Sequence, residues 1–313
     1  MKTDLQMGSA GYAQEAKKEA VPRRRINADT VWGLGFASPQ MLGLLVFGLI
    51  PLVSVFFLSL VHWDGLGPIQ FVGLSNFTDQ LSDPDFQTAL VNTIYYTLLV
   101  VPGGIILALL VALGLNKVRG RDTYRVFYFM PVITSSVAVS VIWLWLLNGD
   151  FGLINSYLHL LFGIHGPNWL TNPRLVLPSL AAVSIWWGLG INMVLFLAGL
   201  QGISTAYMEA AQIDGAGRLQ TFWNVTLPLL SPTLFFITVI TVIGSFQVFD
   251  ISYVMTGGGP VHASYTLVMH IYDLAFQKFT FGAASAVAVI LFAILLALTL
   301  VQFAVQRRWV HYD

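Results

Sequence analysis

Six long intervals of the chain contain no Asp, Glu, Lys or Arg, and each is longer than the roughly 20 apolar residues that cross the hydrocarbon core of a bilayer. The intervals are 30–63, 86–116, 126–149, 175–208, 219–249 and 279–306. Within them we predict six membrane-spanning helices near residues 39–61, 89–115, 126–147, 175–199, 229–250 and 282–305. The expected fold class is an all-α polytopic membrane protein. We expect residues 1–29 to form a flexible polar tail and residues 30–313 to form one transmembrane domain.

Two further charge-free intervals, 151–173 and 251–272, are not predicted to cross the membrane. The first is interrupted at Gly166-Pro167-Asn168 and the second at Gly257-Gly258-Gly259-Pro260. Clusters of glycine and proline break helices, and the apolar pieces that remain are too short to span a bilayer. We expect both intervals to form short surface or re-entrant helices.

The composition supports a membrane protein and excludes several other classes of protein and site. Hydrophobic residues make up 56% of the chain, charged residues 10%, and the mean hydropathy is +0.74. A soluble domain of this size would need far more polar residues to cover its surface. The formal net charge is zero, so nothing indicates nucleic-acid binding. The absence of cysteine excludes disulfides and thiol nucleophiles.

Basic residues predict the orientation. The tail carries six Lys and Arg residues, the 116–125 loop carries four, and the carboxyl end carries two. The three loops on the opposite side hold only Arg174 and Lys278. Because basic loops stay in the cytoplasm, we expect both termini and the 200–228 loop to be cytoplasmic.

No pattern indicates catalysis or a metal site. None of the six histidines falls within a predicted span, so an intramembrane catalytic pair or metal site has no support. No Gly-x-x-x-x-Gly-Lys-[Ser/Thr] motif occurs, so the chain has no P-loop for nucleotide phosphates. Asp250, at the outer end of the fifth span, is expected to be hydrated or to cap a helix. The alternative function, an ion-coupled secondary transporter, would use this carboxylate.

The cytoplasmic loop between the fourth and fifth spans predicts two short helices. Ser204 or Thr205 can cap the first, and Gly215 and Gly217 are expected to end it in conformations that other residues avoid. The second helix is expected to stop at Pro228 and its preceding leucine.

The charges of this loop favour a protein partner over a lipid surface. Glu209 and Asp214 against Arg218 give a net charge of minus one, which the anionic inner leaflet would not attract. An acidic, alanine-faced protrusion fits a basic groove on another protein. The alternative is an ordinary amphipathic connector.

The same loop carries a family resemblance. Glu209-Ala-Ala-x-x-Asp214-Gly215-Ala216, followed by Phe222 and by Leu227-Pro228-x-x-x-Pro232, resembles the EAA loop of membrane subunits of binding-protein-dependent ABC importers. Over residues 35–308 the chain is similar to the carbohydrate-uptake permeases of the maltose and glycerol-phosphate type. The motifs with counterparts there are Phe71-Val-Gly-Leu-Ser-Asn-Phe77, Asn92-Thr93, Arg125 with Pro131, Leu200-Gln201 and Thr256-Gly-Gly-Gly-Pro260.

The resemblance implies the type I ABC importer permease fold and the import of a sugar or sugar derivative by alternating access. It implies a second homologous permease subunit, a homodimeric ABC ATPase and a soluble solute-binding protein as partners. ATP and Mg²⁺ would be bound by the ATPase subunits and no cofactor by this chain. The location implied is the cytoplasmic membrane of a prokaryote.

Two sets of site residues follow from the resemblance. In the coupling set, Glu209 occupies the position that pairs with a basic ATPase residue and Gly215 provides the turn. The full coupling set is Glu209, Ala210, Ala211, Asp214, Gly215, Ala216, Leu227 and Pro228. The sugar-path set is Ser184, Trp187, Gly188, Ile191, Thr241 and Ser245. Because Ser184 stands where the maltose-type subunit has an asparagine, the alternative is that the partner permease holds the sugar site.

Overall fold

The computed structural model describes residues 28–116 and 118–307, and almost all of its regular structure is helical. In chain order the elements are α1 (Ala28–Leu44), α2 (Ile50–Leu58), β1 (Val61–His62), β2 (Gln70–Phe71), α3 (Ser75–Ser82), α4 (Pro84–Leu115), α5 (Arg121–Ile133), α6 (Ser136–Leu146), α7 (Leu153–Phe162), α8 (Val176–Gly202), α9 (Thr205–Ile213), α10 (Arg218–Thr221), α11 (Leu227–Leu229), α12 (Ser231–Phe246), α13 (Asp250–Thr256), α14 (Leu267–Tyr272) and α15 (Phe281–Gln306). Turns of π-helix occupy Leu45–Leu49, Phe222–Thr226 and Asp273–Gln277. The predicted tail, residues 1–29, lies almost wholly outside the described residues.

Four continuous helical segments in the described residues are long and apolar enough to cross a membrane. They are Trp32–Leu58, α4, α8 and α15. Two further candidates are bent pairs of helices: α5 with α6, at 96°, and Arg218–Leu229 with α12, at 66°. Counting each bent pair as one span gives six, and the all-α polytopic fold class is confirmed.

The prediction of one unbroken helix over 126–147 is wrong. The backbone of Thr134 is extended (φ −78°, ψ 140°), and it separates α5 from α6. Pro131 lies in the last turn of α5, where it has no N–H to donate to the preceding turn. The apolar run therefore continues through a sharp bend that hydrophobicity alone does not reveal.

The helices α4 and α8 form the centre of the bundle and run in the same direction. In their amino-terminal halves, Tyr96 and Leu180 lie in one buried cluster, and near their last turns Ala112 and Leu200 lie in another. Pro102 does not interrupt α4, which continues for 32 residues. Small residues at four-residue spacing on its buried face, Gly104, Ala108 and Ala112, permit close helix packing.

Side chains of α4 also hold the segment between α13 and α14. The Asn92 amide donates to the carbonyl oxygens of His262 (2.8 Å) and Tyr265 (2.9 Å). The Thr93 hydroxyl accepts a hydrogen bond from the Leu267 N–H at 3.0 Å. These two residues, which the sequence singles out as a family motif, are structural: they fix the glycine-rich segment against α4.

A buried histidine joins three elements at the same end of the bundle. His270, on α14, is fully buried, and its Nε2 lies 2.8 Å from the Gln80 side-chain oxygen of α3. Burial lowers the pKa of His270, although Asp83 nearby opposes the shift. The imidazole therefore acts as a packed, hydrogen-bonded connector between α3, α4 and α14.

Candidate functional site

A cavity of about 330 Å³ lies between α4, α8 and α12, beside the start of α13. All six residues of the predicted sugar-path set line it. Its other lining residues are Tyr96, Val100, Gly104, Ser136, Ile185, Asn192, Ile240, Gly244, Gln247, Val248, Phe249, Asp250 and Ile251. Side chains from five separate segments of the chain therefore meet at one site.

The wall contributed by α8 is a polar stripe on an otherwise apolar helix. Ser184, Gly188 and Asn192 follow one another at intervals of four residues, which places them on one face. The Tyr96 hydroxyl donates to the Ser184 Oγ at 2.5 Å, and Ser184 donates to the Leu180 carbonyl at 3.0 Å. This chain of hydrogen bonds fixes the Ser184 hydroxyl at the wall of the cavity.

Trp187 lines the cavity from the neighbouring position on α8. Its indole Nε1 donates to the carbonyl oxygen of Thr134 at 3.2 Å, at the break between α5 and α6. Trp186 points elsewhere and packs edge-on against Trp143, with the ring centroids 5.3 Å apart. The two adjacent tryptophans therefore have different roles: Trp187 shapes a cavity and Trp186 fills a helix interface.

Several polar lining residues are absent from the predicted set, including Tyr96, Asn192, Gln247 and Ser136. Asn192 could have been found by extending the four-residue spacing from Ser184. The other three face the cavity only because separate elements converge there. No local pattern in the sequence signals that convergence.

Asp250 also lines the cavity and is exposed within it. It is the first residue of α13, and the N-cap position is Phe249, whose side chain makes no capping hydrogen bond. The expectation that Asp250 caps a helix is therefore wrong. Its carboxylate instead accepts a hydrogen bond from the Ser136 hydroxyl at 2.5 Å, which links the start of α13 to the start of α6.

The coupling set lies at the far end of α8, on and around the predicted short helix. Ser204 is the N-cap of α9, and its Oγ accepts a hydrogen bond from the Ala206 N–H at 3.3 Å. Gly215 ends the helix in the left-handed conformation, with φ +74°. The Gly215 N–H donates to Gln212 and the Ala216 N–H to Ala211, the paired bonds of a Schellman motif.

One detail predicted for this loop is wrong. Gly217 has φ −70° and ψ 166°, an extended conformation that any residue adopts, so it does not end α9 by a special backbone geometry. The second short helix ends within one residue of the predicted position: it runs from α10 through a π-turn and α11 to Leu229, next to Pro228.

The coupling residues divide between an exposed and a buried side of the loop. Glu209, Ala210, Asp214 and Gly215 are exposed, whereas Ala211 is buried. Ala216, Leu227 and Pro228 are partly buried. Ile213 and Leu219 are 86% and 72% exposed, so this surface is apolar as well as acidic. Among the described residues, no group of three or more His, Cys, Asp or Glu could hold a metal ion.

The chain matches a family of transport proteins and several individual relatives. Residues 101–311 match the family model described as binding-protein-dependent transport system inner membrane component. The chain is 35% identical to the sn-glycerol-3-phosphate transport system permease protein of Agrobacterium fabrum, over 88% of this chain and 94% of that one. It is 36% identical to the arabinooligosaccharides transport system permease protein of Bacillus subtilis, over 85% of each chain.

A solved structure shares the fold. A chain from the crystal structure of a bacterial alginate ABC transporter, in complex with an alginate pentasaccharide-bound periplasmic protein, superposes with a TM-score of 0.79. The match covers 90% of this chain and 96% of that chain at 24% sequence identity. The likeness confirms the architecture predicted for the transmembrane domain, that of an ABC importer permease.

Proposed function

Because the chain belongs to the family of inner membrane components of binding-protein-dependent transport systems, we propose that it is the permease subunit through which an ATP-driven importer moves a sugar. The observation that carries this proposal is the cavity beside α8, where all six residues of the predicted sugar path lie together. Its wall combines apolar surface with hydroxyl, amide and indole groups. That combination is typical of small-molecule sites that bind by shape and fix orientation with a few polar contacts.

The proposed partners are a second, homologous permease subunit, a homodimeric ABC ATPase and a soluble solute-binding protein. The ATPase subunits would bind ATP and Mg²⁺, since this chain has no P-loop. Charge along the sequence supports a cytoplasmic location for both termini and for the α9 loop. Sugar would enter from the binding protein at the opposite end of the bundle.

The α9 loop is proposed as the contact with the ATPase. Glu209 is exposed on α9, one helical turn before the exposed apolar side chain of Ile213, and Leu219 of the same loop is also exposed. A carboxylate beside exposed apolar surface can form a charge-assisted hydrogen bond within an otherwise hydrophobic interface. Movement of the ATPase pair would then shift the equilibrium of the permease between inward- and outward-facing states.

We expect Glu209→Ala to lower ATP-dependent sugar uptake by at least tenfold, because a hydrogen bond to a charged group contributes about 1.5–3 kcal/mol. The measurement uses proteoliposomes of the complete transporter with ATP enclosed. The test sugar is one that raises the melting temperature of the purified binding protein. Gln220→Ala, on the neighbouring helix and also exposed, is the control and should retain uptake.

Two outcomes would contradict the proposal at different points. Normal uptake by the Glu209→Ala transporter would exclude the proposed coupling contact but leave the importer function intact. Uptake that requires an ion gradient and continues without ATP would instead favour the ion-coupled alternative.

A further inference from the structure

Asp250 is the one charged side chain among the described residues that line the cavity beside α8. No Lys, Arg or His lines it, and the remaining lining groups are apolar, hydroxyl, amide, phenol or indole side chains and glycines. A single carboxylate in such surroundings sets the sign of the electrostatic potential, because apolar walls screen a charge much less than water does.

The geometry leaves the Asp250 carboxylate partly available to a ligand. The Ser136 hydroxyl donates to Oδ2, which fixes the group relative to α6 and the wall of the cavity. No hydrogen bond to Oδ1 is found within the described part of the chain, and the residue is exposed. An ionised carboxylate accepts hydrogen bonds at both oxygens and donates none.

These properties discriminate between classes of sugar. The hydroxyl groups of a neutral saccharide are donors that a carboxylate can accept. A uronate or a sugar phosphate brings a negative charge that the same carboxylate repels. Two like unit charges roughly 6–12 Å apart, at an effective dielectric constant of about 20, weaken binding by roughly ten- to a hundredfold.

We propose that Asp250 is a specificity-determining residue of this subunit, which accepts hydrogen bonds from the hydroxyls of a neutral saccharide and excludes anionic sugars. The inference rests on the proposed function, because it assumes that the cavity beside α8 is part of the sugar path. The alginate transporter whose fold this chain shares imports an acidic polysaccharide, a class of substrate that the inference excludes for this chain. Ser136 is the positioning residue that holds the carboxylate.

The absence of cysteine allows the potential in the cavity to be measured directly. Gly244 lines the cavity, and a Cβ at this position would have no neighbour within 4 Å, so Gly244→Cys introduces a reporter thiol without a clash. In the complete transporter, we would compare its rates of modification by trimethylammonioethyl and sulfonatoethyl methanethiosulfonate, with mass spectrometry of this chain as the readout.

We expect Asp250→Asn to lower the ratio of cationic to anionic modification rates about tenfold. Asp250→Glu should preserve the ratio, because it retains the charge. Asp150→Asn is the matched control: it removes an exposed carboxylate that does not line the cavity, and it should leave the ratio unchanged. With Asp250 intact, raising the salt concentration should also lower the ratio of cationic to anionic modification rates. This measurement tests the negative potential of the cavity even if Asp250→Asn does not fold.

Transport provides a second readout. In the Asp250→Asn transporter, the ratio of trigalacturonate uptake to uptake of a neutral trisaccharide, such as arabinotriose or maltotriose, should rise at least tenfold above the native ratio. The anion is no longer repelled, whereas the neutral sugar loses a charged hydrogen-bond acceptor and keeps a neutral one. An unchanged modification ratio in Asp250→Asn, or equal use of neutral and anionic trisaccharides by the native transporter, would overturn the assignment. The modification rates do not depend on transport. A failure of the Asp250 inference can therefore be distinguished from a failure of the proposed sugar-import function.

Discussion

At the scale of single residues, Gly188 and Gly190 show how two nearby glycines of one helix serve different surfaces. Gly188 lines the cavity, and a Cβ there would have no neighbour within 4 Å. Gly190 faces α5, where a Cβ would lie 2.4 Å from the Tyr128 carbonyl oxygen and 2.8 Å from the Phe129 Cα. One glycine of the pair therefore shapes the cavity, and the other permits close packing of two helices.

This contrast predicts opposite effects of the same substitution. Gly190→Ala should destabilise the purified transporter by about 1–3 kcal/mol, because backbone must move to admit the methyl group. Gly188→Ala, the control, should be neutral or slightly stabilising, since alanine favours a helix interior over glycine by roughly 1 kcal/mol. Thermal melting of the two variants measures the difference. Equal melting temperatures would show that α5 and α8 are not held this closely.

At the scale of elements, the glycines on either side of the turn between α9 and α10 differ. The backbone that ends α9 requires glycine, whereas the backbone that begins α10 does not. Gly215 has φ +74° and open space around it, so conformation rather than crowding requires glycine there. We expect Gly215→Val to leave assembly intact and to abolish ATP-coupled uptake, because a β-branched residue strains the left-handed turn that sets the direction of the loop.

The neighbouring glycine provides the control for that substitution. Gly217 has φ −70°, so Gly217→Val should retain most of the uptake. The comparison uses co-purification of the ATPase to verify assembly and proteoliposome uptake to measure coupling. If both valine variants transport equally well, the turn geometry of Gly215 does not matter for coupling.

The sequence predicts elements better than it predicts their breaks. Runs of apolar residues locate α4, α8 and α15 because a helix in lipid must satisfy its own backbone hydrogen bonds. The bend between α5 and α6 escapes prediction, since both helices continue through a proline, Pro102 in α4 and Pro131 in α5, and only α5 ends shortly after it. The two prolines differ in the packing around their helices. Gly104, Ala108 and Ala112 pack α4 against the bundle, whereas the Thr134 carbonyl at the end of α5 accepts a hydrogen bond from Trp187.

At the scale of the whole molecule, the path of the chain depends on whether α5 and α6 together cross the membrane. Asn116 follows α4, at the end of the bundle where α8 finishes, and it lines a second cavity with Leu200 and Arg218. Thr171 precedes α8 and lines a cavity with Pro260 at the other end. About 40 Å of α8 separates these two ends, at 1.5 Å per residue. The bent pair therefore connects opposite ends of the bundle despite its 96° angle.

Single cysteines at these two positions test that path, because only α5, α6 and α7 lie between them. Both residues are exposed, and the chain has no cysteine of its own. Thr171→Cys should react with a membrane-impermeant maleimide in intact cells, whereas Asn116→Cys should react only after permeabilisation. Labelling of both thiols from the same side would mean that α5 and α6 enter and leave the same face of the membrane. In that case the α9 loop and the amino terminus would lie on opposite sides of the membrane. The prediction from the basic residues that both are cytoplasmic would then be wrong.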